Sequence, residues 1–453
     1  MKRFTSIAGG LLGLLALGVL LVALVLTLHG LPRDIEPASQ VFQSPIITPT
    51  QPPYPPTRTP PSPSPATPTV VPTPIPRCAF TDRSTSDSSI IVSKSYQFSE
   101  PRVVLAHQSA IGIAEWLPDG QRLLITRLIP GQSREYIEIF DPRTGELQRY
   151  GERHSLPGKP VWLESHQAIA FADVGPDKQV VLRISRGERK SLEIPISGLA
   201  SSFLDASPNG DQVVFFSKGA PDRPEILDLA LEQRQTLPAL QWVTQQDLSS
   251  LGQHYGPEPY HAVWSPSGNE IVFYNDTGVY LTNLASGKIC EVDLDLKKSE
   301  REYSKRWALY MQWSPNGRYL GALTTAGDRP VPFVDLTLVD TYTGKLQALS
   351  PSLNAEYVYD FAWAPSSRQV IALVQDDISQ GRPIQKLYLV DVQSGTSQPI
   401  APHSDFGGGA IEGWQLAWSP DGQTLAVKCP VWIETEPSIL EDRICTISVI
   451  RIP

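Results

Sequence analysis

The densest run of side chains able to do chemistry lies between Trp242 and His261, and it holds Trp242, His254, Tyr255, Glu258, Tyr260 and His261. Imidazole and carboxylate are the ligand types of zinc and similar ions. The spacing HYGPEPYH follows no metal-ligand pattern, and its prolines exclude the helix that would bring His254, Glu258 and His261 together. No metal site is read from it, and no cofactor is expected. An aromatic platform for a sugar or a peptide suits the run better. Hydrolytic motifs are missing: the chain has no GxSxG, no HExxH, no P-loop and no GxGxxG opening a helix. Carboxylates are plentiful near loop ends, so a glycosidase-type pair stays open as an alternative.

The elements that must position such groups are announced by one recurring phrase. Trp264 to Gly268 reads WSPSG, Trp313 to Gly317 WSPNG and Trp418 to Gly422 WSPDG. Weaker copies begin at Trp116 (WLPDG), Trp162 (WLESH), Ala206 (ASPNG) and Trp363 (WAPSS). The copies start 46, 44, 58, 49, 50 and 55 residues apart, and a short apolar run such as Ile271-Val272-Phe273 follows each. A period near 50 made of short strands predicts a β-propeller, whose blades bury their faces only by stacking. Each unit then reads as a four-stranded antiparallel meander, a to d. Strand a ends at the tryptophan, the SPDG-like turn joins a to b, and a glycine turn such as Tyr342-Thr343-Gly344 joins c to d. Asp or Asn in the SPDG-like turn is expected to bond backbone amides two residues on, and the tryptophans to be core anchors between blades.

Through WSPSG, WSPNG, WSPDG and the apolar run after each, the chain resembles the TolB-like or WD40-like PD40 propellers from about residue 100 to 453. The resemblance implies an all-β propeller. Relatives of this kind range from periplasmic scaffold proteins to the propeller domain of prolyl-oligopeptidase-like peptidases, so it says little about function. TolB-like domains often have six blades, whereas counting Trp162 and Ala206 as anchors yields seven here. The sequence ends at Pro453, directly after the last strand, and the α/β-hydrolase domain of the peptidase relatives is not expected. The last unit then lacks a strand d, which the segment Arg102 to Ala106 should supply and so close the ring.

The meander sorts loops by face. The b–c and d–a connections carry every long segment: Pro238 to Tyr260, Asp295 to Ala308, Ser350 to Tyr357, Gln375 to Gln385, Pro399 to Gly413 and Pro430 to Asp442. Binding surfaces on rigid scaffolds are commonly built from such loops. The residues three places before each anchor, Ile113, Lys159, Phe203, His261, Tyr310, Asp360 and Gln415, should sit near the mouth of the central channel on that face. His261, Tyr310, Asp360 and Trp414 are the candidate ligand-binding residues, and no catalytic residue is assigned.

The termini and charge set the surroundings. Ile7 to Leu28 carries no charged side chain and would make a helix of roughly 33 Å, enough to span a bilayer. Lys2 and Arg3 before it favour a cytoplasmic N-terminus. A cleavable signal peptide is the rival, but no small-x-small cleavage site follows. Pro45 to Pro76 is rich in Pro, Thr and Ser and reads as an extended stalk. The expected organisation is an anchor over 1–30, a linker over 31–77 and an extracytoplasmic propeller over 78–453. A net charge of -9 without a dense basic stripe argues against nucleic acid as a partner. Four cysteines fit an oxidising compartment. Cys429 and Cys445 can face each other across a hairpin, leaving Cys78 and Cys290 paired with each other or free. The chain thus reads as a membrane-tethered module that binds a protein, peptide or glycan at its long-loop face, the alternative being a hydrolase or lyase acting at the channel mouth.

Overall fold

The computed structural model describes residues 75–80, 96–156, 158–187, 191–196, 204–216, 223–238, 240, 261–274, 278–294, 308–326, 333–349, 353, 357–379, 382–400, 406–407, 415–429, 431–433 and 439–451. These residues form seven antiparallel blades. Blade 1 is the meander Ile111–Trp116, Leu123–Leu128, Arg134–Asp141 and Glu146–His154. Blades 2 to 6 repeat it, their a strands being Val161–Leu163, Asp205–Ala206, His261–Trp264, Ala308–Trp313 and Tyr357–Trp363. Blade 7 takes Leu416–Trp418, Thr424–Lys428 and Ile439–Arg451 from the C-terminal end of the chain and Arg102–His107 as its strand d. In that closing pair Val103 lies opposite Cys445 and Leu105 opposite Ile444, with the register shifting between them. Tyr96–Phe98 adds a further short strand opposite Val449 to Arg451.

The phrase that repeats in sequence is a hydrogen-bonded turn. Backbone N–H groups of Gln121, Arg318 and Gln423 donate to Asp119, Asn316 and Asp421 at 2.8, 3.0 and 2.9 Å. The hydroxyls of Ser207, Ser314 and Ser419 donate to the Asn or Asp two residues on, Ser265 bonds the Ser267 hydroxyl in its place, and each accepts the first N–H of strand b, as Ser314 does from Tyr319 at 2.8 Å. The closing residue is left-handed: Gly317 has φ 70° and Gly422 φ 75°, while Ser367 in WAPSS takes φ 60° without a glycine. In blade 2, where Ser, Pro and Gly are all lost, one 3-10 turn over Glu164–His166 does the same work and ends in left-handed Gln167 at φ 47°.

Among the described residues the core divides into seven apolar clusters, and each lies between two neighbouring blades. Ala114, Leu124 and Ile139 of blade 1 meet Trp162, Ile169 and Phe171 of blade 2. Ile111, Leu123 and Phe140 on the other face of blade 1 meet Ala426 and Ile444 of blade 7, completing the ring. All six anchor tryptophans are buried. Three of them bond to the preceding blade: the indole N–H of Trp116, Trp313 and Trp363 donates to the carbonyls of Ala417, Val263 and Gln312 at 3.0, 3.3 and 3.2 Å. Each acceptor is the residue before that blade's own anchor.

Two expectations change. Gln375 to Gln385 and Pro430 to Asp442 are not simply loops: the b–c hairpin of blade 6 continues as Gln369–Ser379 paired with Arg382–Asp391, and Val431–Ile433 pairs with Ile439–Glu441. A search for turn residues does not detect such continuations, because they are made by backbone pairing between the two arms. The expected linker boundary at 78 also shifts, because Ile75 packs on the cluster between blades 3 and 4 and Arg77 bridges in parallel to Glu291. The cysteines agree with the sequence: Cys429 pairs with Cys445 and, of the two outcomes left open for the others, Cys78 pairs with Cys290, with Cα atoms 5.9 and 4.8 Å apart. The expected apolar span Ile7 to Leu28 and the stalk as far as Pro74 lie outside the described residues, and among the described residues no helix is long and apolar enough to cross a membrane.

Trp313→Ala removes both a packed indole and its bond to blade 4. A loss of about 3 to 5 kcal/mol in denaturant unfolding is expected. Asn316→Ala, which breaks only the turn, should cost roughly 1 kcal/mol in the same measurement.

Candidate functional site

Strand a is the innermost strand of every blade, so its side chains line the channel where they do not point into an inter-blade cluster. A cavity of ≈ 340 Å³ opens there, bounded by the a strands of blades 1 to 5. Lys159, His261 and Tyr310, all three residues before an anchor, line it together. Asp360 and Gln415 are buried in the adjoining wall, at 1% and 2% exposure. Phe203 and Trp414 lie outside the described residues, as do His254 and Glu258. Ile113 departs from the rule and packs in the cluster between blades 7 and 1.

The reason for that departure is a bulge. Register shifts between Ile113 and Glu115 in blade 1, between Ala308 and Tyr310 in blade 5 and between Val358 and Asp360 in blade 6. A bulge re-aims the residue that follows it. In blades 5 and 6 that residue is three before the anchor, whereas in blade 1 the bulge falls later and Glu115, directly before Trp116, faces the cavity instead. Asp205, directly before Ala206, and Tyr274 of blade 4 also line it. These three escaped the sequence rule. For the two acids the available signal was a carboxylate immediately before the anchor, a position that holds Val, Ala or Gln in all five other blades.

The wall carboxylates have structural partners. Glu115 Oε1 accepts the N–H of Trp162 at 2.7 Å, and Asp205 Oδ2 that of Trp264 at 2.6 Å. Asp360 Oδ2 accepts from Gln415 and Leu416 at 2.8 and 3.0 Å. Tyr274 extends the series, its hydroxyl accepting the N–H of Met311 at 3.2 Å. Each of these side chains therefore ties its blade to the next one around the ring. Lys159 follows a short connection that Arg153 holds by donating to the carbonyl of Gly158 at 2.9 Å. From there its ammonium donates to the Tyr310 hydroxyl at 3.1 Å and lies 4.6 Å from the centroid of that ring. Tyr310 also packs edge-on against Phe361 at 5.6 Å, so it is part of the core as well as of the channel. His261 stacks on Tyr274 with ring centroids 4.7 Å apart.

Burial dominates the protonation of the cluster. It pushes Glu115 up to about 7 and Asp205 and Asp360 up to about 6, against the lowering pull of their backbone donors and of Lys159. It lowers Lys159, opposed by the fields of Asp360, Glu115 and Asp205. The same burial holds His261 down at about 3 and raises the hydroxyls of Tyr274 and Tyr310. His261 is thus a neutral imidazole at physiological pH. Among the described residues no group of three or more His, Cys, Asp or Glu is placed to hold a metal ion.

No protein-family model matches the chain, and no curated protein sequence matches it. Among solved structures it is similar to hydrazine synthase from Kuenenia stuttgartiensis, at 15% identity and a TM-score of 0.45 over 75% of this chain and 96% of that one. The seven-bladed propeller architecture itself rests on the strand pairings given above.

Glu115 holds its proton more tightly folded than unfolded, so between about 4.5 and about 7 the folded state binds more protons and stability falls as pH rises. Glu115→Gln keeps an acceptor for the Trp162 N–H and removes the titration. The variant is expected to gain melting temperature relative to wild type at pH 8 and to match it near pH 4.5. An equal offset at both pH values would show that the carboxyl is not perturbed.

Proposed function

We propose that the chain is an extracytoplasmic β-propeller, tethered to a membrane by Ile7 to Leu28, that binds a protein, peptide or glycan at the mouth of its central channel. One observation carries the reading: Lys159, His261 and Tyr310, from three different blades, converge on one cavity whose carboxylates are engaged with backbone amides. Convergent polar groups in a partly apolar concavity are the usual mark of a binding site. Hydrolysis or lyase chemistry is less well supported, because Glu115, Asp205 and Asp360 each already hold one or two N–H groups. The outward location draws on Lys2 and Arg3 ahead of an uncharged segment, and on two cystines of the kind kept in oxidising compartments.

Capture by the full-length chain in detergent tests the binding reading. A partner retained by wild type should be lost, or held at least tenfold more weakly, by Lys159→Met and by Tyr310→Phe. Retention unchanged by both variants would move the site off the channel. Location is tested separately on intact cells, where added protease should remove the propeller while an N-terminal fragment stays with carbonate-washed membranes. Release into the medium of a chain starting near Gly30 would mean that the apolar segment is cleaved.

A further inference from the structure

We infer that the channel cavity binds a small zwitterion, an unblocked α-amino acid or the ends of a very short peptide, with the ligand carboxylate on Lys159 and Tyr310 and the ligand ammonium on Glu115 and Asp205. The inference deepens the binding reading above and rests on it.

Its basis is the unused hydrogen-bonding capacity on the cavity wall. An ammonium has three donors. Lys159 spends one on the Tyr310 hydroxyl, and among the described residues it makes no close ion pair. Tyr310 accepts that bond, which leaves its own O–H to donate. On the other side Glu115 commits Oε1 to Trp162, while Oε2 has no protein donor among the described residues. Asp205 presents a second carboxylate in the same cavity. Both acids and the lysine line the same cavity, and among the described residues no hydrogen bond or ion pair joins either acid to the lysine, so the wall offers separate positive and negative stations.

That separation decides between ligand classes. A simple anion drawn to Lys159 would be repelled by Glu115 and Asp205, and a simple cation drawn to those carboxylates would be repelled by Lys159. A molecule carrying both charges satisfies both stations and adds no net charge to a buried site. The cavity, at ≈ 340 Å³, is at the small end of the range for ligand sites. Pro160, Leu204, Met311 and Trp313 leave an apolar share of its wall for a side chain.

The experiment is calorimetric titration of the full-length chain in detergent with the common L-amino acids and with simple dipeptides. Each ligand that binds is then repeated as its amide, which lacks the carboxylate, and as its N-acetyl form, which lacks the ammonium. At least one unblocked compound should bind saturably, with both blocked forms at least tenfold weaker. Tyr310→Phe keeps the ring on Phe361 and should weaken binding severalfold, Glu115→Gln likewise, and Lys159→Met should abolish it. A dipeptide favoured over its free amino acids would assign the zwitterion to peptide ends. An amide that binds as well as the parent overturns the proposal in favour of a cation site, and an equally good N-acetyl form overturns it in favour of an anion site. Absence of binding by every unblocked compound also overturns it. In that case partner capture separates the two readings: loss of capture in Lys159→Met and Tyr310→Phe keeps the channel as a binding site with another ligand, and capture unchanged by both rejects it too.

Discussion

Everything in this propeller depends on apolar faces that no blade can bury by itself. Each described cluster takes its side chains from two adjacent sheets, as Val272 and Tyr274 of blade 4 do with Met311 and Trp313 of blade 5. A sheet with one face exposed would leave a row of Val, Ile and Leu in water, at a cost of roughly 1.5 to 3 kcal/mol for each side chain. The ring is the arrangement in which every sheet has two neighbours. Several devices converge where the ring closes between blades 7 and 1. Arg102–His107 completes the sheet, the N–H of Ile111 donates to Asp442 at 3.0 Å, and Lys428 pairs with Asp442 at 2.8 Å in the interior. Cys429–Cys445 closes a hairpin of that same blade, a short loop worth about 3 kcal/mol in the chain-entropy account.

The second disulfide acts elsewhere on the ring. Cys78 pairs with Cys290 on the outer strand of blade 4, beside the Arg77–Asp293 ion pair and the hydrogen bond from Cys78 N–H to the Glu291 carbonyl at 2.9 Å. The segment 75–80 therefore joins the propeller at blade 4, and Tyr96–Phe98 pairs on blade 7. A chain arriving from the N-terminal side is consequently held covalently at blade 4 before it closes the ring at blade 7.

The candidate site grows out of the same requirement that neighbouring blades be joined. Glu115, Asp205, Asp360 and Tyr274 face inward because their strands need acceptors for the N–H groups of the next blade's inner strand. Placing carboxylates there for architecture leaves a buried cluster rich in negative charge, and Lys159 is the lysine that tempers it. Recognition at the channel is then a secondary use of groups whose first task is to hold the wall together.

Local chemistry was legible in the amino-acid sequence. The Trp-Ser-Pro-x-Gly phrase announced a turn because Asn or Asp, Ser and Gly each have a definite local bond or backbone angle to supply, and those bonds depend only on neighbours along the chain. Its period determined seven meanders, and the unmatched last unit determined that Arg102–His107 must close it. Position three before the anchor also brought Lys159, His261, Tyr310 and Asp360 to the channel or its wall. What the tertiary structure alone decided was which face of each inner strand looks inward and what lies opposite. A single bulge moves the inward position from Ile113 to Glu115, and nothing in the run Ile111–Trp116 marks where the bulge must fall, because it is set by pairing with Leu123–Leu128. The strand continuations at Gln375 and Val431 arise in the same way, since a hairpin extends for as long as its partner offers hydrogen bonds. The raised pKa values of Glu115, Asp205 and Asp360 come from walls contributed by several blades, and desolvation by residues far away in the chain cannot be read from any one segment.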